Sequence, residues 1–437
     1  MIVLVNVYYP ESGYGTKLNC PPLGIAYISE YLDRNKIEHL VIDQGLGYSP
    51  EYILGKIALL KPSWIGVSLN SILIDKSNEL IKKIKTDSPS TRIVVGGPHV
   101  TTKWKNIFAD IPAIDYAIAG EGEESFFELV TGREKETIKG LIYRDEIGKV
   151  VSNEKRITPD IDNIPFPTFR KFELDSYSEK IIPLISSRGC PYKCTFCQQS
   201  SLLSKEWRGV SAKYFLDVLE YWKERGYRNI HILDDNFAHS TERLKQISEQ
   251  YVGRGLNELR LTLVGGIRIN SATQDNLEML KKIGVEYISF GIESFSDKVL
   301  RAIKKGVTEK QIEAAIKMAT EMKFKVRLFF IIGLPYQTVE SLRITYKKIL
   351  QYPVYQVRFF NLIPYENTSL FDWVQENGKL LYSPKEYMNN FKAYQEIPVF
   401  ESKNTMTVEE RTRELKIARD FVRLIDERSK YLFDELD

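Results

Sequence analysis

Short apolar runs alternate with amphipathic stretches along most of the chain. In the first third, strands are predicted at Ile2–Val7, His39–Asp43, Trp64–Leu69, Arg92–Val95 and Tyr116–Ala119. Between the first two, Ile25, Ile28 and Leu32 fall on one helical face, and Glu51–Leu60 and Asp75–Lys85 behave similarly. Strands and helices alternating through short turns predict a parallel, doubly wound sheet. Leu141–Arg144 and Lys149–Val151, around Ile147-Gly148, predict a hairpin. Ile164-Pro165-Phe166-Pro167 then predicts an extended linker, because proline disfavours helix for the residue before it.

From Ile181 the alternation resumes with longer helices. Strands are predicted at Ile181–Ser186, Asn229–Leu233, Arg260–Val264, Glu286–Phe290, Val326–Ile332 and Tyr355–Phe360. Phe215, Val218, Leu219 and Trp222 stripe one intervening helix, and Ile312, Ala315, Ile316 and Ala319 another, which Thr308 and Gln311 open with a capping box. Six strand–helix units are fewer than the eight of a closed barrel. A charged helical pattern from Val408 to Leu424 follows. The expected organisation is therefore a first domain at 1–135, a linker with a hairpin at 136–180, a partial barrel at 181–385 and a helical tail at 386–437.

Composition changes this picture little. The 437 residues have room for two domains, and 43% hydrophobic with 27% charged residues is ordinary for a globular chain. A net charge of +3 makes no electrostatic case for nucleic acid. No run of 18 apolar residues suggests a membrane span, and Met1–Val7 reads as a buried strand without a basic leader. Four cysteines, three of them clustered, argue against a disulfide framework and for a reducing cytoplasm. Cys20, the fourth, reads as a small hydrophobe in a loop.

The clustered cysteines carry candidate chemistry. They stand in Cys190-Pro191-Tyr192-Lys193-Cys194-Thr195-Phe196-Cys197, close behind the run Ile181–Ile185. Thiolates are soft ligands and favour iron–sulfur clusters or zinc. A structural zinc site closes four positions, whereas this motif offers three, and no second pair follows nearby. Three thiolates on a four-iron cube would leave one iron open. Incidental buried thiols are the plainer alternative. The other predicted strand ends are also unusual. Asp234-Asp235-Asn236-Phe237 follows the second barrel strand, although an Asp/Asn turn can simply cap the next helix. Gly265-Gly266-Ile267-Arg268 follows the third, and its arginine could be only a surface ion pair. Gly291-Ile292-Glu293-Ser294-Phe295 and Gly333-Leu334-Pro335-Tyr336 end the fourth and fifth. In the first domain the carboxyl ends, where doubly wound sheets hold ligands, carry Ser68-Leu69-Asn70-Ser71, Gly96-Gly97-Pro98-His99 and Gly120-Glu121-Gly122-Glu123. Their glycines permit close backbone approach to a ligand, or are plain loop chemistry.

Together these motifs carry a resemblance. The cysteine spacing, with Phe196 just before the last cysteine, resembles the cluster motif of the radical S-adenosylmethionine superfamily. Cys20-Pro21-Pro22-Leu23-Gly24-Ile25-Ala26-Tyr27, Gly96–His99 and Gly120–Glu123 resemble the cobalamin-binding domain that precedes the barrel in many of its members. The resemblance implies an α/β fold: an N-terminal doubly wound sheet of the cobalamin-binding type, a partial (β/α)6 TIM-like barrel and a short helical tail. It implies three cofactors: a 4Fe-4S cluster on Cys190, Cys194 and Cys197, S-adenosylmethionine, and cobalamin. On the S-adenosylmethionine side it implies Phe196, Asp235 for the amino group with Asp234 as its alternate, Asn236, and Arg268 for the carboxylate or ribose. Gly291, Glu293 and Ser294 would line the adenosine. On the cobalamin side it implies Ser68, Asn70, Gly96, Gly97, Pro98, His99, Glu121 and Gly122. The cobalt-ligating motif Asp-x-His-x-x-Gly is absent, as is usual in this subgroup. His99 could be offered as the cobalt ligand, but a histidine in a turn is more often a loop hydrogen-bonder. Tyr336 and Gln337 depart from the more usual Gly-Glu after Gly-Leu-Pro, and the tail has no cysteines for an auxiliary cluster.

The implied activity begins with a 5′-deoxyadenosyl radical and leads to methylation of an unactivated carbon. The alternative is a non-methylating cyclase, oxidase or rearrangement enzyme with the same cofactors, and, from another class, a module that senses cobalamin or redox state. No residue is singled out as catalytic. The implied partners are a small-molecule or lipid substrate and an electron donor such as flavodoxin or ferredoxin.

Overall fold

The computed structural model describes residues 1–9, 19–199, 206–390 and 395–433. The chain divides into two compact units, Met1–Pro183 and Leu184–Asp437.

The first unit is built on one sheet. Strands β1 (Ile2–Asn6), β2 (His39–Asp43), β3 (Trp64–Ser68), β4 (Arg92–Gly96) and β5 (Tyr116–Ile118) run parallel in the order β2-β1-β3-β4-β5. Period-two alternation sorts their side chains between two cores. Val3, Val5, Ile65, Val67, Ile93 and Val95 pack on one face, and Ile2, Leu4, Trp64 and Val94 on the other. Burial on both faces is why these strands read as nearly continuous apolar runs. At Gly66 a β-carbon would stand 2.8 Å from the Leu4 side chain and 3.0 Å from the Phe126 ring. Glycine there lets the helix Glu123–Val130 lie close against the sheet. The strand order changes direction between β1 and β3, which leaves a crevice outside their carboxyl ends.

The segment 136–180 corrects the expected organisation. Strands β6 (Leu141–Arg144) and β7 (Val150–Ser152) form the predicted hairpin, but β6 pairs antiparallel with β5, so the hairpin extends the first sheet to seven strands. It covers what would otherwise be an open sheet edge. The remainder is tied to the same unit: Thr168 donates its backbone N–H to Glu30 at 2.9 Å, and the Tyr177 hydroxyl donates to Asp43 at 2.6 Å. These long-range bonds, at 138 and 134 residues of separation, cannot be read from a local pattern.

The second unit carries the barrel. Strand β8 (Ile181–Leu184) leads into a two-residue ribbon of β9 (Ser187–Arg188) with β10 (Arg208–Gly209). Strands β11 (Asn229–Ile232) and β12 (Arg260–Leu263) are parallel, and β8 lies beside β11. Strands β13 (Tyr287–Glu293), β14 (Lys325–Ile332) and β15 (Gln356–Asn361) form a second parallel set. Single bridges, Leu261 to Val285 and Ile267 to Phe290, join the two sets. The result is the expected partial barrel of six strands. In β14, Val326, Leu328, Phe330 and Ile332 are fully buried, while Lys325, Arg327, Phe329 and Ile331 alternate with them at partial exposure. The helix Val408–Phe433 is longer than its sequence pattern and sets Phe421 against Tyr346 and Phe359. An antiparallel pair, β16 (Gly378–Leu380) with β17 (Phe400–Ser402), was not predicted. Among the described residues, no helix is long and apolar enough to cross a membrane.

Candidate functional site

In the first unit the expected residues gather at the carboxyl ends of β3, β4 and β5. The loops after β3 and β4 interlock: Leu69 N–H donates to the Gly96 carbonyl at 2.8 Å, and His99 N–H to the Leu69 carbonyl at 3.3 Å. Gly97 sits at φ +101°, and a β-carbon there would stand 2.9 Å from the Leu69 carbonyl oxygen. Only glycine suits both conditions. Pro98 opens the helix Pro98–Lys103, and the Asn70 side chain caps the turn after it by accepting from Ile72 N–H at 3.2 Å. Ser68 closes β3 beside Gly97.

His99 is the clearest outcome here. It is buried, with Nδ1 2.9 Å from Ser71 Oγ and Nε2 3.1 Å from Asp110 Oδ2. Both ring nitrogens are engaged, so the ring presents no lone pair to a metal, and His99 is a loop hydrogen-bonder. Glu121 is likewise committed, accepting from Thr158 N–H at 2.7 Å, while Gly122 precedes the helix Glu123–Val130. What this crevice offers a large ligand is backbone and short polar side chains. A group missed from the sequence lies at the ends of β1 and β2. The buried Asp43 carboxylate accepts from Asn6 at 2.7 Å, Gly45 N–H at 2.9 Å and Tyr177 at 2.6 Å. Burial pushes its carboxyl up while these bonds pull it down.

In the second unit the cysteine loop is pinned to two helices. Thr195 N–H donates to the Ile303 carbonyl at 3.0 Å, and the Thr195 carbonyl accepts from Leu370 N–H at 2.9 Å. Cys194 is buried, Cys190 and Cys197 are half-buried, and all three are unbridged. Burial pushes the Cys190 thiol up. Among the described residues, no group of three or more His, Cys, Asp or Glu side chains is placed to hold a metal ion.

The two aspartates behind β11 have opposite fates. Asp234 is wholly buried and accepts from Ser186 N–H at 2.6 Å, Ser186 Oγ at 2.7 Å and Ser187 Oγ at 2.6 Å. Burial raises its carboxyl, and Arg243 and the serines oppose the rise. Its oxygens are spent anchoring the segment that leads to Cys190. Asp235 is half-buried, and among the described residues no hydrogen bond or ion pair engages it. Its pKa is pushed from 3.8 up to about 6, first by burial and then by the Asp234 charge. Beside it Asn236 is fully buried, and neither its Oδ1 nor its Nδ2 has a partner. Buried polar groups are normally paired. These vacant donors and acceptors, next to the cysteine loop, suit a polar ligand such as an amino acid head group.

Arg268 is not a surface ion pair. Its Nη1 donates to Cys194 Sγ at 3.3 Å, its Nη2 donates to the Lys305 carbonyl, and its guanidinium lies 3.6 Å from the Tyr192 ring centroid. Nε is buried without a partner. Glycines bring these strand ends together. A β-carbon on Gly265 would stand 2.3 Å from the Asp234 carbonyl oxygen, and one on Gly266, at φ +72°, 2.4 Å from that of Ser289.

At the end of β13 the register slips between Gly291 and Glu293, and Glu293 takes φ +67°. Such strain in a non-glycine residue persists only where its surroundings hold it. Here Lys305 Nζ donates to Glu293 Oε1 at 2.8 Å, with side chains only 7% and 9% exposed. Ser294 is buried and its hydroxyl accepts from Ser296 N–H. Lys305 had no sequence signal. It sits in a lysine-rich turn before a capping box, and only folding carries it 12 residues back to Glu293. Gln337 replaces the usual acid after Gly-Leu-Pro and secures that loop, accepting from Gly333 N–H at 2.7 Å and donating to the Ile331 carbonyl at 2.9 Å. Phe196, Gly291, Glu293, Phe329, Phe360 and Asn361 are among the residues lining a cavity of about 330 Å³ at the ends of β13 to β15.

Two family profiles match this chain. The Radical SAM superfamily profile matches residues 184–349, and the B12 binding domain profile matches residues 16–130. An uncharacterized methyltransferase, PH0819 of Pyrococcus horikoshii, is 31% identical over 83% of this chain and 80% of its own length. The anaerobic magnesium-protoporphyrin IX monomethyl ester cyclase of Rubrivivax gelatinosus is 26% identical over 79% of this chain, which spans 65% of that enzyme. Among solved structures, the radical S-adenosylmethionine methyltransferase TsrM from Kitasatospora setae, with tryptophan and a SAM analogue bound, superposes with a TM-score of 0.73. The match has 17% identity and covers 88% of this chain and 82% of that one.

Proposed function

Because the chain belongs to the cobalamin-binding radical S-adenosylmethionine enzymes, we propose that it is a methyltransferase acting on an unactivated carbon of a small molecule. The observation that carries methyl transfer is the 31% identical relative named as a methyltransferase, which matches across both units. When bound, a 4Fe-4S cluster would supply the electron for reductive cleavage of S-adenosylmethionine, and cobalamin would supply a methyl carrier.

The chain's own residues bind, orient and shield. Cys190, Cys194 and Cys197 hold the cluster. Asp235 takes the ammonium of S-adenosylmethionine through charge-assisted hydrogen bonds. Asn236 is sited to fill its vacant donor and acceptor on the same head group, and Asp234 fixes the backbone that aims both. The strained turn at Glu293 presents one side of the cavity to the adenosine, and Phe196 with the other rings lining it keeps water out. Ser68, Asn70 and the Gly96–Gly97 turn offer the first unit's ligand a backbone-rich surface without an imidazole from His99. A small flavoprotein or ferredoxin would serve as electron donor.

The test is turnover of the reconstituted protein with deuteriomethyl-labelled S-adenosylmethionine. Label should appear in a product. Absence of label from every product, while 5′-deoxyadenosine accumulates with the true substrate, would remove methyl transfer. It would favour the oxidative-cyclase alternative, to which the Rubrivivax relative points.

A further inference from the structure

We propose that Arg268 sets the reduction potential of the cluster through its hydrogen bond to the Cys194 sulfur. The inference rests on the cluster assigned above, and it concerns a role that a cofactor-contacting arginine would not need. Two of the three guanidinium nitrogens are already committed within the protein. Nη1 donates to Cys194 Sγ at 3.3 Å, and Nη2 donates to the Lys305 carbonyl. The Tyr192 ring, 3.6 Å away, stacks on the guanidinium plane. One anchor therefore comes from the cysteine loop itself, and the other from the turn after the helix Asp297–Ala302. Held on both sides, the donor has little freedom to leave the sulfur.

No carboxylate among the described residues forms an ion pair with this guanidinium, and Arg268 and Asp235 act in opposite senses on the neighbouring Cys190 thiol. An N–H donor and a fixed positive charge both favour the more reduced, more negative state of an iron–sulfur cluster, and so raise its potential. Lys305 adds to the same field: its ammonium stands 5.8 Å from the ring of Phe196, the residue before Cys197. That ammonium, however, is neutralised by Glu293, whereas Arg268 forms no such ion pair among the described residues. Arg268 is thus a positioning residue for the cluster, and its buried Nε remains available to a second acceptor.

The test is a redox titration, followed by electron paramagnetic resonance, of anaerobically reconstituted protein without S-adenosylmethionine. Wild type is compared with Arg268→Met, Arg268→Lys and Tyr192→Leu. Arg268→Met should titrate at lower potential. Arg268→Lys, which keeps the charge and loses the fork, should fall between it and wild type, and Tyr192→Leu should move the same way by less. An Arg268→Met protein with wild-type iron content and wild-type potential overturns the inference. Should that variant fail to retain iron, Arg268→Lys decides, and an unchanged potential overturns it equally. A wild-type chain that takes up no iron would instead overturn the proposed function, and this inference with it.

Discussion

Asp235→Asn should make the cofactor-free protein more stable at neutral pH and useless as an enzyme. The carboxyl is raised from 3.8 to about 6, so the folded chain keeps a proton that the unfolded chain releases between those values. Stability falls with pH wherever the folded state binds more protons. The penalty is absent below about pH 4, grows through the window and is constant above about pH 6. A shift of about two units amounts to about 3 kcal/mol, at 1.36 kcal/mol per unit. Asparagine removes the charge and keeps the shape, so the variant should gain up to that amount at pH 7.5 and only about 1 kcal/mol at pH 4.5. Urea unfolding of apo wild type and variant at the two pH values measures the difference. A second readout is the binding of S-adenosylmethionine to the reconstituted proteins, which the variant should lose. An equal effect of the substitution at both pH values would refute the reasoning, because the gain would not then come from the buried charge. A variant less stable than wild type at pH 7.5 would show that Asp235 has a partner that the geometry does not place.

Four further outcomes follow from the geometry. Alanine at Cys190, Cys194 or Cys197 should abolish S-adenosylmethionine cleavage, measured as 5′-deoxyadenosine, and leave cobalamin uptake largely intact in the visible spectrum. Lys305→Met or Glu293→Gln alone should cost about 3–5 kcal/mol in urea unfolding, since each strands a buried partner, whereas the double variant should cost less than their sum. His99→Ala should lower stability by about 1–3 kcal/mol through the groups it leaves unpaired. It should leave the cobalamin spectrum unchanged, and a changed cobalt spectrum would show His99 to be a ligand. Gly265→Ala should force the Asp234 carbonyl away and cost about 1–3 kcal/mol, with weaker S-adenosylmethionine binding at unchanged iron content.

Much of this was legible because it is encoded locally. The first unit's strands read out as apolar runs, since strands buried on two faces cannot hide their hydrophobicity, and the cysteine spacing was enough to carry a resemblance to a cluster motif. Burial decided what spacing could not. Asp234 and Asp235 are adjacent and chemically identical, yet one is bound by two serines while the other has no hydrogen-bond partner among the described residues and lies in the field of Cys190. Arg268, read as a surface pair or a cofactor contact, proved to reach Cys194, 74 residues away. The hairpin at Leu141–Ser152 was predicted as an element and misplaced as a linker, because strand pairing across a sheet edge leaves no trace in local pattern.

The sequence by itself determined the kind of chemistry. Three thiolates at this spacing, behind the first strand of a six-strand barrel, specify soft ligands with one position to spare, and that depends on residue type and order alone. Only the tertiary structure decided which neighbours complete the site. It closed His99 between Ser71 and Asp110, withdrew Asp234 into the scaffold, left Asp235 and Asn236 vacant, and brought Lys305 to Glu293. The physical reason is that a polar side chain's role is set by which partners remain unsatisfied once the chain has folded, and those partners come from distant segments.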